Sequence, residues 1–107
     1  MKIDYLIKNG TIIDGSGDNR YEADILISDD QIVSILSKGQ KTIKINDENY
    51  NLKDLSFNNI IDATSFIIAP GFIDVHTHDD QNIFIDRSMS CKISQGVTTC
   101  IAGNCGI

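Results

Sequence analysis

A short apolar segment that ends in two histidines constrains the fold of this chain most strongly. Residues 72–78 follow the turn-forming pair Pro70-Gly71 and contain both histidines of the sequence, His76 and His78. In an extended strand, residues two apart point to the same side. This segment is therefore predicted to be a strand that projects both imidazoles from one face at its C-terminal end. Two imidazoles on one face are half of a tetrahedral metal site, for which zinc is the usual occupant.

The histidine pair also has an ordinary interpretation, in which one imidazole packs and the other is solvated. Its position at the end of an apolar strand favours the metal site, because parallel barrels carry their catalytic groups there. Asp74 lies two residues before His76, on the same predicted face. For Asp74 we favour a supporting role over direct ligation, since carboxylates commonly orient ligating histidines. A structural carboxylate that bonds a neighbouring loop is the alternative.

The residues after the histidines indicate a helix and a second strand. Residues 88–95 are predicted to form a short helix, with Ser88 as its N-cap and Gly96 as its terminator. The β-branched run at 97–102 is typical of a strand buried in a parallel sheet. Strand, helix and strand make a βαβ unit with parallel strands. Two strands leave both sheet edges and most apolar surface exposed, so we expect the N-terminal part of a longer protein.

Three cysteines lie close to the C-terminus: Cys91, Cys100 and Cys105. An odd, clustered set does not indicate a secreted disulfide framework. Cys105 follows the second predicted strand, and in a barrel the C-terminal ends of neighbouring strands lie side by side. Its thiolate is therefore a candidate zinc ligand, although residue type alone slightly favours an inert buried thiol. Cys91 and Cys100 are predicted to be core residues, as free cysteines usually are.

Residues 1–37 have strand periodicity and none of helical type. Within residues 1–37, the pair Asn9-Gly10 predicts a hairpin turn, because both turn positions require positive φ. The polar segment 46–59 is interpreted as a surface loop. Alternating apolar residues predict strands at 3–8, 11–13, 23–28, 32–36, 42–45, 60–62 and 66–68.

Composition narrows the classes of partner. A formal net charge of -6 argues against nucleic acid and anionic membranes, which both require a basic face. An apolar content of 41% is that of a globular protein. The N-terminus lacks the apolar core of a signal peptide, and no apolar run is long enough to span a bilayer. The cytoplasm is therefore the expected location.

Two long segments of the sequence resemble the amidohydrolase superfamily. Residues 4–15 are similar to its opening, and residues 69–78 are similar to its first barrel strand with a metal-binding His-x-His. Three further segments narrow the resemblance to the N-acyl-D-amino-acid deacylases, or D-aminoacylases: 78–80, 94–99 and 103–107. The Gly-Asn-Cys-Gly sequence in the last segment discriminates best, since His-x-His marks only the superfamily.

The resemblance implies a fold in two parts and a reaction. Residues 1–67 would form a small β-sandwich domain, and residues 68–107 would begin a TIM-like (β/α)8 barrel, an incomplete metal-dependent hydrolase fold. The implied activity is zinc-dependent hydrolysis of N-acyl-D-amino acids to a D-amino acid and a carboxylate. His76, His78 and Cys105 match the metal ligands of the family. Its general base and remaining ligands would follow residue 107.

Two alternatives remain open at the level of sequence. One is a cyclic amidase or deaminase of the same superfamily, which would share the His-x-His strand but act on rings. The other is a catalytically silent truncated fragment, or a chain that requires a second chain. With only three candidate ligands, His76, His78 and Cys105, the isolated 107 residues are expected to have little or no activity.

Overall fold

The computed structural model describes residues 1–104, which lie in two compact units. The first unit is Met1–Ala69, and the second begins at Pro70. Both units contain strands, and strands predominate in the first, as the sequence predicts. Within the described residues, no helix is long and apolar enough to cross a membrane.

The first unit contains seven strands. These are β1 (Lys2–Ile12), β2 (Tyr21–Ser28), β3 (Gln31–Ser37), β4 (Thr42–Ile45), β5 (Glu48–Asn51), β6 (Ser56–Asp62) and β7 (Ile67–Ile68). The main sheet has the order β3-β2-β1-β6, and β7 pairs with the end of β1. Neighbours β1, β2 and β3 are antiparallel, whereas β6 and β7 run parallel to β1.

The hairpin predicted at Asn9-Gly10 is wrong, because β1 continues through these residues as a single strand with a bulge. Asn9 has the expected positive φ of 63°, but it uses this conformation to insert one extra residue opposite β2. Its backbone N–H donates to Asp24 Oδ1 at 2.8 Å. The extra residue reverses the alternation of faces, so that Ile7 and Ile12 pack in the same cluster.

The surface loop predicted at 46–59 is also wrong. Asn46 and Asp47, with φ of 50° and 67°, form a two-residue turn that joins β4 to β5. A short 3-10 turn, Leu52–Asp54, then leads into β6. The predicted strand at 42–45 is present as β4, and it pairs with β5 residue by residue.

Two apolar clusters stabilise the first unit. The larger joins the main sheet to the β4–β5 hairpin and comprises Ile3, Leu26, Leu36, Ile43, Ile45 and Leu55. Ile3 and Leu26 are completely buried. The smaller cluster comprises Ile12, Ala23 and Ile25. Because Ile25 and Leu26 are consecutive in β2 but belong to different clusters, both faces of this strand are covered.

As far as residue 104, the second unit contains two strands and two single helical turns: β8 (Phe72–Asp74), α1 (Asn82–Ile85), α2 (Ser90–Ile93) and β9 (Val97–Cys100). Strands β8 and β9 are parallel, as predicted. The predicted helix 88–95 is shorter, and Ser88 is not its N-cap. Instead the Asp86 carboxylate accepts from the backbone N–H groups of Ser88 and Ser90, at 3.0 and 2.8 Å. Gly96, with φ of 80°, follows the helix as expected.

Candidate metal centre

Both histidines lie just beyond the end of β8. Pairing with β9 ends at Asp74 opposite Cys100, after which the Ile101 N–H donates to the Asp74 carbonyl at 2.8 Å. The predicted strand 72–78 is therefore too long. His76 and His78 are nevertheless brought together, since their ring centroids are 5.5 Å apart and their planes are tilted by 42°. Both side chains are exposed.

Strands β8 and β9 pair where the backbone of Gly71 lies very close to the side chain of Thr98. Gly71, just before β8, lies so near Thr98 that an added Cβ would be 2.1 Å from Thr98 Oγ1. Only glycine fits at this point. The Phe72 N–H then donates to the Gly96 carbonyl at 2.8 Å, where the parallel ladder begins. The Pro-Gly pair therefore does more than turn the chain, because it allows the strand that precedes the histidines to pair.

Asp74 forms an ion pair that the sequence does not indicate. The ammonium of Lys92, on α2, lies 2.6 Å from Asp74 Oδ2. The other oxygen, Oδ1, accepts from the backbone N–H of His76 at 3.3 Å. Asp74 thus supports the first histidine through the main chain. This hydrogen bond is compatible with the prediction that Asp74 supports a histidine. The role of Asp74 towards a metal stays a prediction.

On the other side of the histidines, the carboxylate and N–H of Asp79 form several polar contacts. Lys92 Nζ lies 2.8 Å from Asp79 Oδ2. The Thr77 hydroxyl donates to the same oxygen, and the Asp79 N–H donates back to Thr77 Oγ1 at 3.1 Å. Asn82 Nδ2 donates to Asp79 Oδ1 at 2.7 Å. The buried threonine between the two histidines is therefore held by the carboxylate that follows them.

The contacts among Asp74, Asp79 and Lys92 favour the charged form of each side chain. Hydrogen bonds from the Lys92 ammonium, the Thr77 hydroxyl and the Asn82 amide lower the pKa of Asp79 to about 2. Lys92 is also the main cause of a lowered pKa at Asp74, and the two carboxylates in turn raise the pKa of Lys92. Near neutral pH, one ammonium therefore lies between two carboxylates.

The loop after β9 lies against the loop after β8. The side-chain amide of Asn104 donates to the Val75 carbonyl at 3.0 Å and to the Ile101 carbonyl at 3.3 Å. The Gly103 N–H donates to Asp80 Oδ1 at 3.0 Å. Asp80 thus bonds the neighbouring loop. The chain is held beside the histidine segment as far as Asn104, while Cys105 lies outside the described residues.

The other two cysteines differ from their predicted burial. Cys91 is exposed, so its assignment to a core is wrong. It lies on the single turn α2, which buries none of its residues. Cys100, at the end of β9, is half-buried.

Across residues 1–104, no three His, Cys, Asp or Glu side chains form a group that could hold a metal ion. The donors in place there are the two imidazoles of His76 and His78. Lys92 and Thr77 were missed by the sequence reasoning, because a lysine on a short helix and a threonine between two histidines are ordinary surface residues in sequence. Only the folding of α2 back onto β8 reveals their contacts.

Comparison with known proteins identifies the relatives of this chain, although no family model matches it. It is 40% identical to a D-aminoacylase from Alcaligenes xylosoxydans xylosoxydans over 104 residues, which are 97% of this chain and 19% of that protein. The crystal structure of an N-acyl-D-glutamate deacylase from Bordetella bronchiseptica, complexed with zinc and a phosphonate inhibitor, matches with a TM-score of 0.79 at 37% identity. That match covers 100% of this chain and 20% of the deacylase.

A D-aminoacylase structure that defines a subset of amidohydrolases matches with a TM-score of 0.77 at 38% identity, over 98% of this chain and 19% of that one. The chain is therefore homologous to amidohydrolases. Its relatives among them include D-aminoacylases and N-acyl-D-amino-acid deacylases, which confirms the resemblance seen in the motifs. The chain spans about a fifth of the length of the curated relatives that it matches.

Proposed function

We propose that this chain belongs to a zinc-dependent amidohydrolase that converts N-acyl-D-amino acids into a D-amino acid and a carboxylate. The observation that carries the proposal is the pair His76 and His78, whose rings lie 5.5 Å apart directly beyond a strand of a parallel pair. Catalytic groups of parallel barrels occupy this position. In the proposed organisation, residues 68–107 begin a (β/α)8 barrel and residues 1–67 contribute to a small β-sandwich.

The donors suit zinc. Histidine nitrogens bind zinc at about 2.0–2.1 Å, and cysteine thiolates bind it at about 2.3 Å. His76 and His78 are exposed, so both rings are accessible to an ion. We assign the third position to Cys105, because the described residues just before it are held beside the histidine loop by the Asn104 amide. The structure of the zinc-bound deacylase relative supports the choice of metal.

The chain contributes binding and orientation to the reaction. A bound zinc ion supplies Lewis-acid activation of the amide carbonyl and of the attacking water. His76 and His78 would hold the metal, and Asp74 orders the His76 main chain by accepting its N–H. A carboxylate would take a proton from the attacking water as a general base and then give it to the leaving amine as a general acid. We assign this group to residues beyond 107, because the chain spans only 19% of the length of the matched D-aminoacylase.

The test is made with the full-length protein that the gene encodes. We expect stoichiometric zinc and hydrolysis of N-acetyl-D-amino acids, with no hydrolysis of the L-enantiomers. His76→Asn and His78→Asn should each abolish metal retention and turnover. Lys53→Asn, a polar change in an exposed turn of the first unit, should leave both unchanged. A wild-type protein that binds no metal, or that hydrolyses neither enantiomer, contradicts the proposal.

The same assay separates the reaction from its superfamily alternatives. Cyclic amidases open hydantoin-type rings, and deaminases release ammonia from a ring amine. Both substrate types should be inert with this protein if the assignment to linear N-acyl-D-amino acids is correct. If the protein turned over either type of ring substrate but no linear N-acyl-D-amino acid, the metal centre would stand and the proposed substrate class would be wrong.

A further inference from the structure

The segment that carries the histidines lacks regular secondary structure. Strand β8 ends at Asp74 and α1 begins at Asn82, so within residues 1–104 His76 and His78 belong to no helix or strand. A metal site nevertheless requires its ligands to be held within about 0.5 Å of the productive geometry. Other contacts must therefore order this segment.

Lys92 contacts the segment on both sides of the histidine pair. Its ammonium lies 2.6 Å from Asp74 Oδ2, two residues before His76, and 2.8 Å from Asp79 Oδ2, one residue after His78. The side chain of Lys92 is 22% exposed, and the two carboxylates are 29% and 15% exposed. Isolated surface ion pairs contribute little. This one is shared by three groups that are mostly removed from water.

Both carboxylates that contact Lys92 are also hydrogen-bonded to the histidine segment, so Lys92 restrains that segment through them. Asp74 Oδ1 accepts from the His76 N–H at 3.3 Å. Asp79 is bonded to the hydroxyl of Thr77, and its own N–H returns to that hydroxyl at 3.1 Å. Thr77 is the one buried residue between 70 and 104. A single lysine thus restrains the residues before, between and after the two histidines.

We propose that Lys92 is a positioning residue, which orders segment 74–79 by bridging Asp74 and Asp79 and so presents His76 and His78 to the metal. This inference rests on the proposed function, since it assigns Lys92 a purpose in that metal centre. The competing explanation is purely structural, in which Lys92 attaches α2 to β8 without influence on the imidazoles. The two explanations differ in what happens to metal affinity and to local order.

The experiment compares Lys92→Met with Lys92→Arg in the full-length protein, with Co²⁺ as the metal probe. Methionine keeps the length and removes the charge, whereas arginine keeps the charge and can bridge both carboxylates with its fork of N–H donors. We expect Lys92→Met to raise the Co²⁺ dissociation constant by about 10- to 100-fold, the usual effect of losing a group that orients metal ligands. It should also alter the Co²⁺ absorption spectrum, and Lys92→Arg should restore most of the affinity.

Lys44→Met is the matched control, because it removes an exposed ion pair with Asp47 in the first unit. It should leave Co²⁺ affinity and spectrum unchanged. Asp79→Asn provides a milder second variant if Lys92→Met does not fold, since it keeps the shape and removes one of the two anchors. An intermediate loss of affinity is expected there. Wild-type affinity in both Lys92→Met and Asp79→Asn would overturn the proposal.

A metal-free measurement separates this proposal from the proposed function. Hydrogen exchange of the His76 and Asp79 amides, which both donate within the segment, should lose its protection in Lys92→Met. Exchange in β1 and β2 should not change. Unchanged protection at both amides would overturn the role of Lys92 whatever the metal does. Lost protection in a protein whose wild type takes up no Co²⁺ would instead refute the proposed function, and with it the metal-related purpose of Lys92.

Discussion

The two units of this protein differ in what they bury. The first unit encloses ten apolar side chains, including the fully buried Ile3 and Leu26. In the second unit, between residues 70 and 104, only Thr77 is buried. Phe84 and Ile85 are each 85% exposed there. The first unit is organised around an apolar core, whereas the second is held by backbone pairing and by the Lys92 ion-pair cluster.

The difference in burial shows which kind of contact orders the candidate metal centre. A parallel pair of strands normally has both faces covered, and the described part of the second unit shows β8 and β9 with exposed apolar residues such as Phe72 and Ile73. Polar contacts around Asp74, Asp79 and Lys92 therefore hold the histidine segment without an apolar core beneath it. Substitutions in both units and a change of pH test this contrast.

Removing a core side chain of the first unit should have the largest effect. Leu26→Ala should lower the free energy of unfolding by about 2–5 kcal/mol, because it leaves a cavity in the larger apolar cluster. Urea denaturation measures the change. Ile32→Ala, at a position that is 63% exposed, is the control and should stay within about 0.5 kcal/mol. A loss below 1 kcal/mol for Leu26→Ala would show that this cluster is not a packed core.

The bulge in β1 should be the next most sensitive point. Asn9→Ala should cost about 1–2 kcal/mol, since alanine disfavours the positive φ of 63° found there. It also removes the hydrogen bond from the Asn9 amide to Asp62 Oδ1 at 3.0 Å. Asn9→Gly accepts the same φ and should be destabilised less than Asn9→Ala in the same denaturation experiment. Equal losses for the two variants would assign the effect to the side-chain bond alone.

Lowering the pH should reduce the free energy of unfolding of the first unit, partly because Asp62 becomes protonated. Bonds from the Thr64 hydroxyl and the Asn9 amide lower its pKa from 3.8 to about 2. A carboxylate with a lower pKa in the folded state stabilises the protein above its unfolded pKa, and this contribution is lost as pH falls towards about 2. The difference in urea midpoint between wild type and Asp62→Asn should therefore be constant above about pH 5 and shrink between about pH 4 and pH 2. A difference that does not vary with pH would contradict the assigned cause.

Truncating an exposed apolar residue of the second unit should have the smallest effect on stability. Phe84→Ser is expected to change the free energy of unfolding of the 107-residue chain by no more than about 0.5 kcal/mol. It should reduce the binding of a hydrophobic dye, because it removes part of the exposed apolar surface. A loss above 1 kcal/mol would mean that this face is buried in solution, and the contrast between the units would then need revision.

Several strands could be read from the sequence because local pattern and tertiary environment agree. Ala23, Ile25 and Ile27 alternate with their neighbours, and β2 lies where this pattern predicts. Strand β5 was missed because Glu48–Asn51 has no apolar alternation and is ordered by pairing with β4. Asn9-Gly10 has the residue types of a hairpin turn, yet the same positive φ serves equally in a bulge. Pairing with β2 decides between the two.

Residue type and spacing alone predicted most strands of the first unit, the parallel pair β8 and β9, and the closeness of His76 and His78. These follow from residue type and short-range spacing, which act within a few residues. The tertiary structure decided where β8 ends and which charges meet around it. Lys92 is eighteen residues from Asp74 in the chain, and no local pattern records that its ammonium lies between Asp74 and Asp79. That contact exists only because the chain between them folds back on itself.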